Sequence, residues 1–113
     1  MMMAGNTTMP SDGSEVGSIT SMTDPASPLS GMPASLAYPS SKSAVNMLTS
    51  QYAKACPAMR INAVDPGYTA TDLNGHRGTQ SVEQGAQIIV AMATIGPDGP
   101  TGTFADQHGV VPW

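Results

Sequence analysis

Residues 37–67, AYPSSKSAVNMLTSQYAKACPAMRINAVDPG, decide the fold of this chain. In residues 37–55 apolar side chains recur every three or four positions, which predicts an amphipathic helix, and Pro57 ends it. The expected apolar face consists of Ala44, Val45, Leu48, Tyr52 and Ala55. The next residues, Met59–Val64, predict a short buried strand that stops at an Asp-Pro-Gly turn.

A second helix and strand follow the first pair. Residues 68–80 are polar, and Ser81 with Gln84 forms a capping box that starts a helix running to about Ile95. Its expected apolar face consists of Val82, Ala86, Ile89, Val90 and Ala93. Residues 102–106 predict a last strand before the terminal segment 110–113. Alternating helices and strands indicate an α/β fold, although two strands and two helices cannot cover both faces of a parallel sheet.

The first part of the chain has a different composition. Residues 1–35 are rich in Ser, Thr, Gly, Pro and Met and show no sustained period. We expect them to be irregular or disordered, with at most a short extended piece near Val16–Thr20. The expected organisation is therefore an irregular segment at 1–35 and an α/β unit at 36–113.

Composition excludes several function classes. The 113 residues carry a net charge of −4 and no basic run, which argues against nucleic-acid binding. No apolar stretch approaches the ~20 residues of a membrane span, and Met1–Asn6 lack the features of a signal peptide. The single cysteine, Cys56, fits a reducing cytoplasm, so we expect a cytoplasmic location. His76, His108 and Cys56 lack metal-ligand spacing, so no metal site is predicted.

Tyr38 and Lys42 are the candidate catalytic pair. They stand four positions apart in the predicted helix, so their side chains share a face. A phenol with an ordinary pKa near ~10 is a poor proton shuttle at neutral pH. A neighbouring ammonium stabilises the phenolate and favours general acid/base catalysis. The spacing alone also fits an exposed tyrosine beside a solvated lysine, so the surrounding residues decide between the two interpretations.

Three motifs in sequence order resemble the short-chain dehydrogenase/reductase family. Residues 38–42, YPSSK, are similar to its Tyr-x-x-x-Lys, and residues 60–67, RINAVDPG, to its strand with Asn-x-Val-x-Pro-Gly. Residues 68–71, YTAT, complete its Pro-Gly-x-x-x-Thr. The resemblance covers residues 36–113 and is closest to carbonyl-reductase-like spacing. It implies a partial Rossmann-type doubly wound parallel sheet, truncated and without the amino-terminal dinucleotide-binding half.

The resemblance also implies roles for individual residues. Tyr38 would exchange the proton with a carbonyl or alcohol substrate, while Lys42 would tune Tyr38 and bind the ribose hydroxyls of NAD(P). Pro66-Gly67 would turn the chain so that backbone near Thr69 faces the nicotinamide carboxamide. Thr71 would add a hydroxyl contact to the carboxamide or the pyrophosphate.

Two parts of the family pattern are less complete. Residues 13–18 resemble the end of the family's serine-bearing strand, which would leave a remnant of that strand in the segment 1–35. Ser14 is the best match to the serine that orients the substrate carbonyl, with Ser18 as the alternative, and residues 23–34 would then form an insertion. A glycine-rich turn for the pyrophosphate needs a strand before it and a helix after it. Neither the glycines at 13 and 17 nor those at 96, 99 and 102 have that context.

Two hypotheses follow from these observations. The first is an oxidoreductase that transfers hydride between NAD(P)H and a small carbonyl or alcohol substrate. The second is a non-catalytic, truncated member that acts through association. In that case the helices at 38–55 and 81–95 would bury their apolar faces, for example in a homo-oligomer.

Overall fold

The structure, a computed structural model, describes residues 8–12, 15–67 and 80–113. The strands are β1 (Thr8–Asp12), β2 (Arg60–Val64), β3 (Phe104–Asp106) and β4 (Gly109–Val110), and the α-helices are α1 (Ile19–Thr23), α2 (Ala37–Ala55) and α3 (Val82–Ala93). Two 3₁₀ segments complete the described elements, at Glu15–Gly17 and Pro28–Gly31.

The strands form a four-stranded sheet in the order β1-β2-β3-β4. β1 and β2 are parallel, with Thr8 opposite Arg60 and Asp12 opposite Val64. β3 is parallel to β2, and β4 returns antiparallel to β3 as a hairpin. The parallel β1-α2-β2 unit confirms the α/β fold class predicted from the alternation of helix and strand.

β2 lies at the centre of the fold. Its residues from Ile61 to Val64 are all buried, because the strand is covered on both faces. α2 packs against β2, and α3 packs against β1 and β2. We infer that one helix covers each face of β2. This explains why the strand reads as a continuous buried run in the sequence rather than as an alternating one.

The described residues before position 36, which are 8–12 and 15–35, depart from their expected irregular course. Thr8–Asp12 forms a strand, although its sequence has no hydrophobic pattern, because its backbone completes a parallel ladder with β2. The expected extended piece near Val16–Thr20 is wrong, since these residues belong to a 3₁₀ turn and the start of α1. The Ser18 side chain accepts a hydrogen bond from the Ser21 amide and caps that helix.

The bounds of the two long helices agree with the sequence, but their buried faces do not. In α2 the buried residues are Asn46 and Thr49, and in α3 they are Gly85 and Met92. Five of the large apolar side chains expected to be buried are at least one-third exposed. They are Leu48, Tyr52, Val82, Ile89 and Val90. The apolar stripes of both helices therefore remain on the surface.

The carboxyl-terminal residues close the core. Ala63, Phe104 and Val111 form a buried apolar cluster. The Trp113 ring stacks on Phe104 with a centroid distance of 5.8 Å, and the Trp113 carbonyl accepts a hydrogen bond from the Thr20 amide. None of the helices in the described part of the chain combines the length and apolar character needed to cross a bilayer.

Candidate active site

The candidate site lies at the edge where the parallel strands end. The 3₁₀ turn Glu15–Gly17 follows β1, residues 65–67 follow β2, and α2 begins on the same side because it connects β1 to the start of β2. Ligands of open α/β sheets bind at this carboxyl edge. The fold therefore brings the first turn of α2 and the Pro66-Gly67 turn to the edge where a ligand is expected.

Tyr38 and Lys42 occupy the first two turns of α2. The Lys42 ammonium lies over the Tyr38 ring, 5.6 Å from its centroid, so the two side chains share a face. Tyr38 is 55% exposed, which leaves its phenol accessible to a ligand. The pairing of a phenol with an ammonium, predicted from the spacing, is therefore present in the structure.

A close approach at Gly17 locates this pair relative to β1. A Cβ on Gly17 would lie 2.7 Å from the Lys42 carbonyl carbon and Cβ, so only glycine lets the backbones meet there. The Ser43 hydroxyl donates a hydrogen bond of 2.7 Å to the Gly17 carbonyl oxygen. The turn after β1 and the helix of Tyr38 and Lys42 are thereby joined at one point.

The second turn of the site follows β2. Gly67 has a φ of +82°, a conformation that side chains rarely adopt, and the Gln80 side-chain amide donates to the Pro66 carbonyl oxygen. The Asp65 carboxylate accepts hydrogen bonds from the Gly67 amide at 2.8 Å and from the Glu15 amide at 2.9 Å. Asp65 therefore holds the two strand-end turns together.

The described residues include only part of the predicted site. Tyr38, Lys42, Pro66 and Gly67 lie at the carboxyl edge, whereas Ser14, Thr69 and Thr71 fall outside the described ranges. The alternative to Ser14, Ser18, is completely buried and its hydroxyl caps α1, which is a structural role.

A cavity of about 410 Å³ lies beside the start of α2. It lies between α1 with its preceding turn and the Pro39–Ser43 face of α2. Its lining residues are Val16, Ser18, Ile19, Met22, Thr23, Pro39, Ser40 and Ser43. Tyr38 and Lys42 are not among them. The cavity therefore borders α2 next to Tyr38 and Lys42, at Pro39, Ser40 and Ser43, without being lined by either of the two side chains.

Sequence reasoning missed Gly17 and Asp65 as residues that organise the site. The signal for Asp65 was its place directly before Pro-Gly, where a carboxylate can accept from a backbone amide two residues on. The signal for Gly17 was a glycine just after the end of a strand. Their long-range contacts, with Glu15 and with Lys42, become visible only in the folded chain.

A nicotinamide dinucleotide fits one end of this edge. Gly67 contributes backbone without a side chain to this turn, with the Gln80 amide packed against it, and Lys42 offers an ammonium donor suited to ribose hydroxyls. Among the residues that the structure describes, the positive-φ glycines other than Gly67 are Gly102 and Gly109, and neither opens a helix after a parallel strand. The described residues thus fit the nicotinamide-ribose end and show no cradle for the pyrophosphate.

Comparison with known proteins identifies the family. The family model for short chain dehydrogenases matches residues 1–82. The chain belongs to the short-chain dehydrogenase/reductase family. The match includes β1 and the helical segments before residue 36, so the family resemblance begins earlier in the chain than its motifs indicated.

The matches to individual relatives cover only part of each relative's length. (−)-Isopiperitenone reductase of Mentha piperita is 45% identical over 64 residues, which are 57% of this chain and 20% of that protein. Carbonyl reductase [NADPH] 1 of Mus musculus is 42% identical over 55 residues, 47% of this chain and 20% of that protein. The structure of salutaridine reductase from Papaver somniferum superposes with a TM-score of 0.72 at 25% identity, covering 89% of this chain and 45% of that one. The chain thus spans less than half of that reductase.

Proposed function

We propose that this chain contributes the proton-transfer part of a short-chain reductase site, in which hydride passes between NAD(P)H and a small carbonyl or alcohol substrate. The observation that supports this most directly is the Lys42 ammonium over the Tyr38 ring at the carboxyl edge of a parallel sheet. Family membership supports oxidoreductase chemistry in general, and a relative at 42% identity is named as a carbonyl reductase that uses NADPH.

Each residue of the proposed site would have its own role in the reaction. The exposed Tyr38 phenol donates its proton to the substrate carbonyl oxygen during reduction, or removes it from the hydroxyl during oxidation. Lys42 keeps a positive charge beside that phenol and binds the ribose hydroxyls. The Pro66-Gly67 turn faces the carboxamide, with Thr69 and Thr71 expected beyond it. The bound dinucleotide supplies or accepts the hydride.

Three further elements of the proposal rest on sequence expectations. Ser14 orients the substrate carbonyl in this proposal. The substrate is a small molecule, with no nucleic acid or membrane involved. The proposed cytoplasmic location rests on the presence of a single cysteine, Cys56, in the sequence.

Replacing Tyr38 by Phe tests the proposed function. The purified chain is assayed with NADPH or NADH and two carbonyl probes, benzaldehyde and cyclohexanone, by the loss of reduced-cofactor absorbance. We expect Tyr38→Phe to lower kcat by about 10²- to 10⁴-fold, the usual contribution of a general acid, because the ring stays while the proton is lost. Circular dichroism of the variant should match that of the parent chain.

Tyr52→Phe is the matched control, since Tyr52 stands on the same helix with a similar exposure of 56%. It should retain the parent kcat. The proposal fails if the parent chain turns over neither probe with either cofactor, or if Tyr38→Phe remains as active as Tyr52→Phe.

A second candidate function is self-association without catalysis. The observation that favours it is the exposure of apolar side chains along α2 and α3, where Leu48 is 56% exposed and Val90 is 58% exposed. Helix faces of this kind are typical of surfaces that another chain covers. A second copy of this chain offers the same two faces, and each face could pack on its own counterpart across a two-fold axis, so that α2 and α3 would form separate interfaces of a homo-oligomer.

A further inference from the structure

Asp65 uses its two carboxylate oxygens on two different parts of the chain. Oδ1 accepts the Gly67 amide at 2.8 Å, which is a local bond within the turn after β2. Oδ2 accepts the Glu15 amide at 2.9 Å, across 50 positions of sequence. Hydrogen bonds to an ionised carboxylate are about twice as strong as neutral ones. A single side chain thus links the turn after β1 to the turn after β2.

The link continues from Glu15 to the catalytic helix. Glu15 opens the 3₁₀ turn that ends at Gly17, and Gly17 is buried directly against the backbone of Lys42. The Ser43 hydroxyl donates to the Gly17 carbonyl oxygen at 2.7 Å, which closes the contact. Each step from Asp65 to Lys42 is a short hydrogen bond, a single helical turn or a backbone contact. Such a path has little freedom to stretch.

We propose that Asp65 is a positioning residue that fixes the Pro66-Gly67 turn at a set distance from the Tyr38–Lys42 helix. The proposal rests on the proposed function for what this distance serves: the nicotinamide end would bind at the turn while the proton comes from Tyr38. Both groups must meet one substrate carbon and its oxygen, and a misplacement of about 1 Å can cost about 10²-fold in rate. Asp65 touches neither substrate nor cofactor in this arrangement.

The test compares Asp65→Ala and Asp65→Asn with a matched pair at Asp106. The Asp106 carboxylate also accepts two backbone amides, from His108 at 2.7 Å and Gly109 at 3.1 Å, but both lie within the β3–β4 hairpin. Both of these bonds are accepted by Oδ1, so Asp106→Ala removes a double backbone acceptor whose bonds stay within one hairpin, whereas Asp106→Asn keeps an acceptor oxygen for them. Asparagine has one acceptor oxygen, so Asp65→Asn can keep only one of the two bonds.

Amide hydrogen exchange followed by NMR gives a readout that does not depend on activity. In Asp65→Ala we expect the Glu15 amide to exchange about tenfold faster, because its acceptor is lost, and the Lys42 and Ser43 resonances to shift. In Asp65→Asn either the Glu15 or the Gly67 amide should lose protection. Asp106→Ala should change only the hairpin, and Asp106→Asn should leave the His108 and Gly109 amides largely protected. Unchanged exchange at Glu15, or changes confined to residues 66–67, would overturn the proposal.

Kinetics provide the second readout. We expect Asp65→Ala to raise the KM for NADPH and to lower kcat, because turn and helix no longer hold the cofactor and the proton donor together. A smaller fraction of folded protein would by itself lower the apparent kcat without changing the KM for NADPH. The proposal is wrong if both constants equal those of Asp106→Ala. If the parent chain shows no turnover, the proposed function fails separately, and the exchange experiment decides the role of Asp65.

Discussion

At Gly17 the chain passes so close to α2 that no side chain fits between them. The nearest backbone atoms, in Lys42 and Ser43, are 2.7 and 2.9 Å from the position that a Cβ would take, and backbone cannot rotate away. We therefore expect Gly17→Ala to lower the free energy of unfolding by about 1–3 kcal/mol, the usual cost of overpacking. Urea denaturation followed by circular dichroism measures the change.

Gly31→Ala is the control for this substitution, because nothing lies within 4 Å of a Cβ there. It should change the free energy of unfolding by no more than about 0.5 kcal/mol. Equal effects at the two glycines would contradict the close approach. Because Gly17 touches Lys42, Gly17→Ala should also shift α2. Any activity of the chain should then fall by more than the loss of folded protein accounts for.

Substitution of two buried asparagines, Asn62 and Asn46, should change the free energy of unfolding in opposite directions. Asn62 is 1% exposed, and both polar atoms of its side-chain amide are paired: the nitrogen donates to the Pro100 carbonyl, and the oxygen accepts from the Thr103 amide and hydroxyl. The role of Asn62 is therefore structural. Asn46 is 5% exposed, and within the described residues neither polar atom of its side-chain amide has a hydrogen-bond partner.

Leucine has nearly the shape of asparagine without its polar groups. We expect Asn46→Leu to raise the free energy of unfolding by about 1 kcal/mol, because an unpaired buried amide is removed. Asn62→Leu should lower it by about 3 kcal/mol, since three backbone or hydroxyl groups lose their partner. Thermal denaturation of the two variants checks the sign. Destabilisation of both to a similar extent would show that Asn46 is paired in solution.

At the scale of elements, α3 is defined by its first residues. The Ser81 hydroxyl accepts from the Gln84 amide, and the Gln84 side chain accepts from the Ser81 amide, which satisfies two amides that the helix itself leaves unpaired. We expect Ser81→Ala to cost about 1 kcal/mol of stability. Gln87→Ala, at an exposed position of the same helix, should cost almost nothing. Urea midpoints of the two variants distinguish the cap from general helix propensity.

The elements also show which features could be predicted locally. The bounds of α2 and α3 agree with the sequence because proline, serine and the capping box act within a few residues. Their buried faces were predicted wrongly because the buried helix residues include polar and small ones, Asn46, Thr49 and Gly85, which a pattern of apolar residues does not identify. Which side meets β2 depends on how the helix is rotated by its contacts, such as that between Gly17 and Lys42.

At the scale of the whole molecule, the exposed helix faces predict self-association. We expect the parent chain to show a concentration-dependent mass in analytical ultracentrifugation, because burying exposed apolar area releases about 25 cal/mol per Å². Leu48→Glu should shift the equilibrium to the monomer by placing a charge in the α2 face. Gln51→Glu adds the same charge at an exposed polar position of α2 and should leave association unchanged.

A parent chain that stays monomeric at every concentration would remove the support for the association candidate. Equal effects of Leu48→Glu and Gln51→Glu would show that net charge, rather than the apolar face, controls the mass. Neither result bears on Tyr38, so the association and catalytic candidates remain separable.

The sequence by itself determined the α/β class, the long helices, the central strand and the Tyr38–Lys42 pair. These depend on spacing, capping and turn residues that act over short distances. Only the tertiary structure decided that Thr8–Asp12 is a strand, which helix faces are buried, and that Asp65 and Gly17 join the two turns to α2. Those features depend on contacts between residues far apart in the chain, and the local pattern of residues does not contain them.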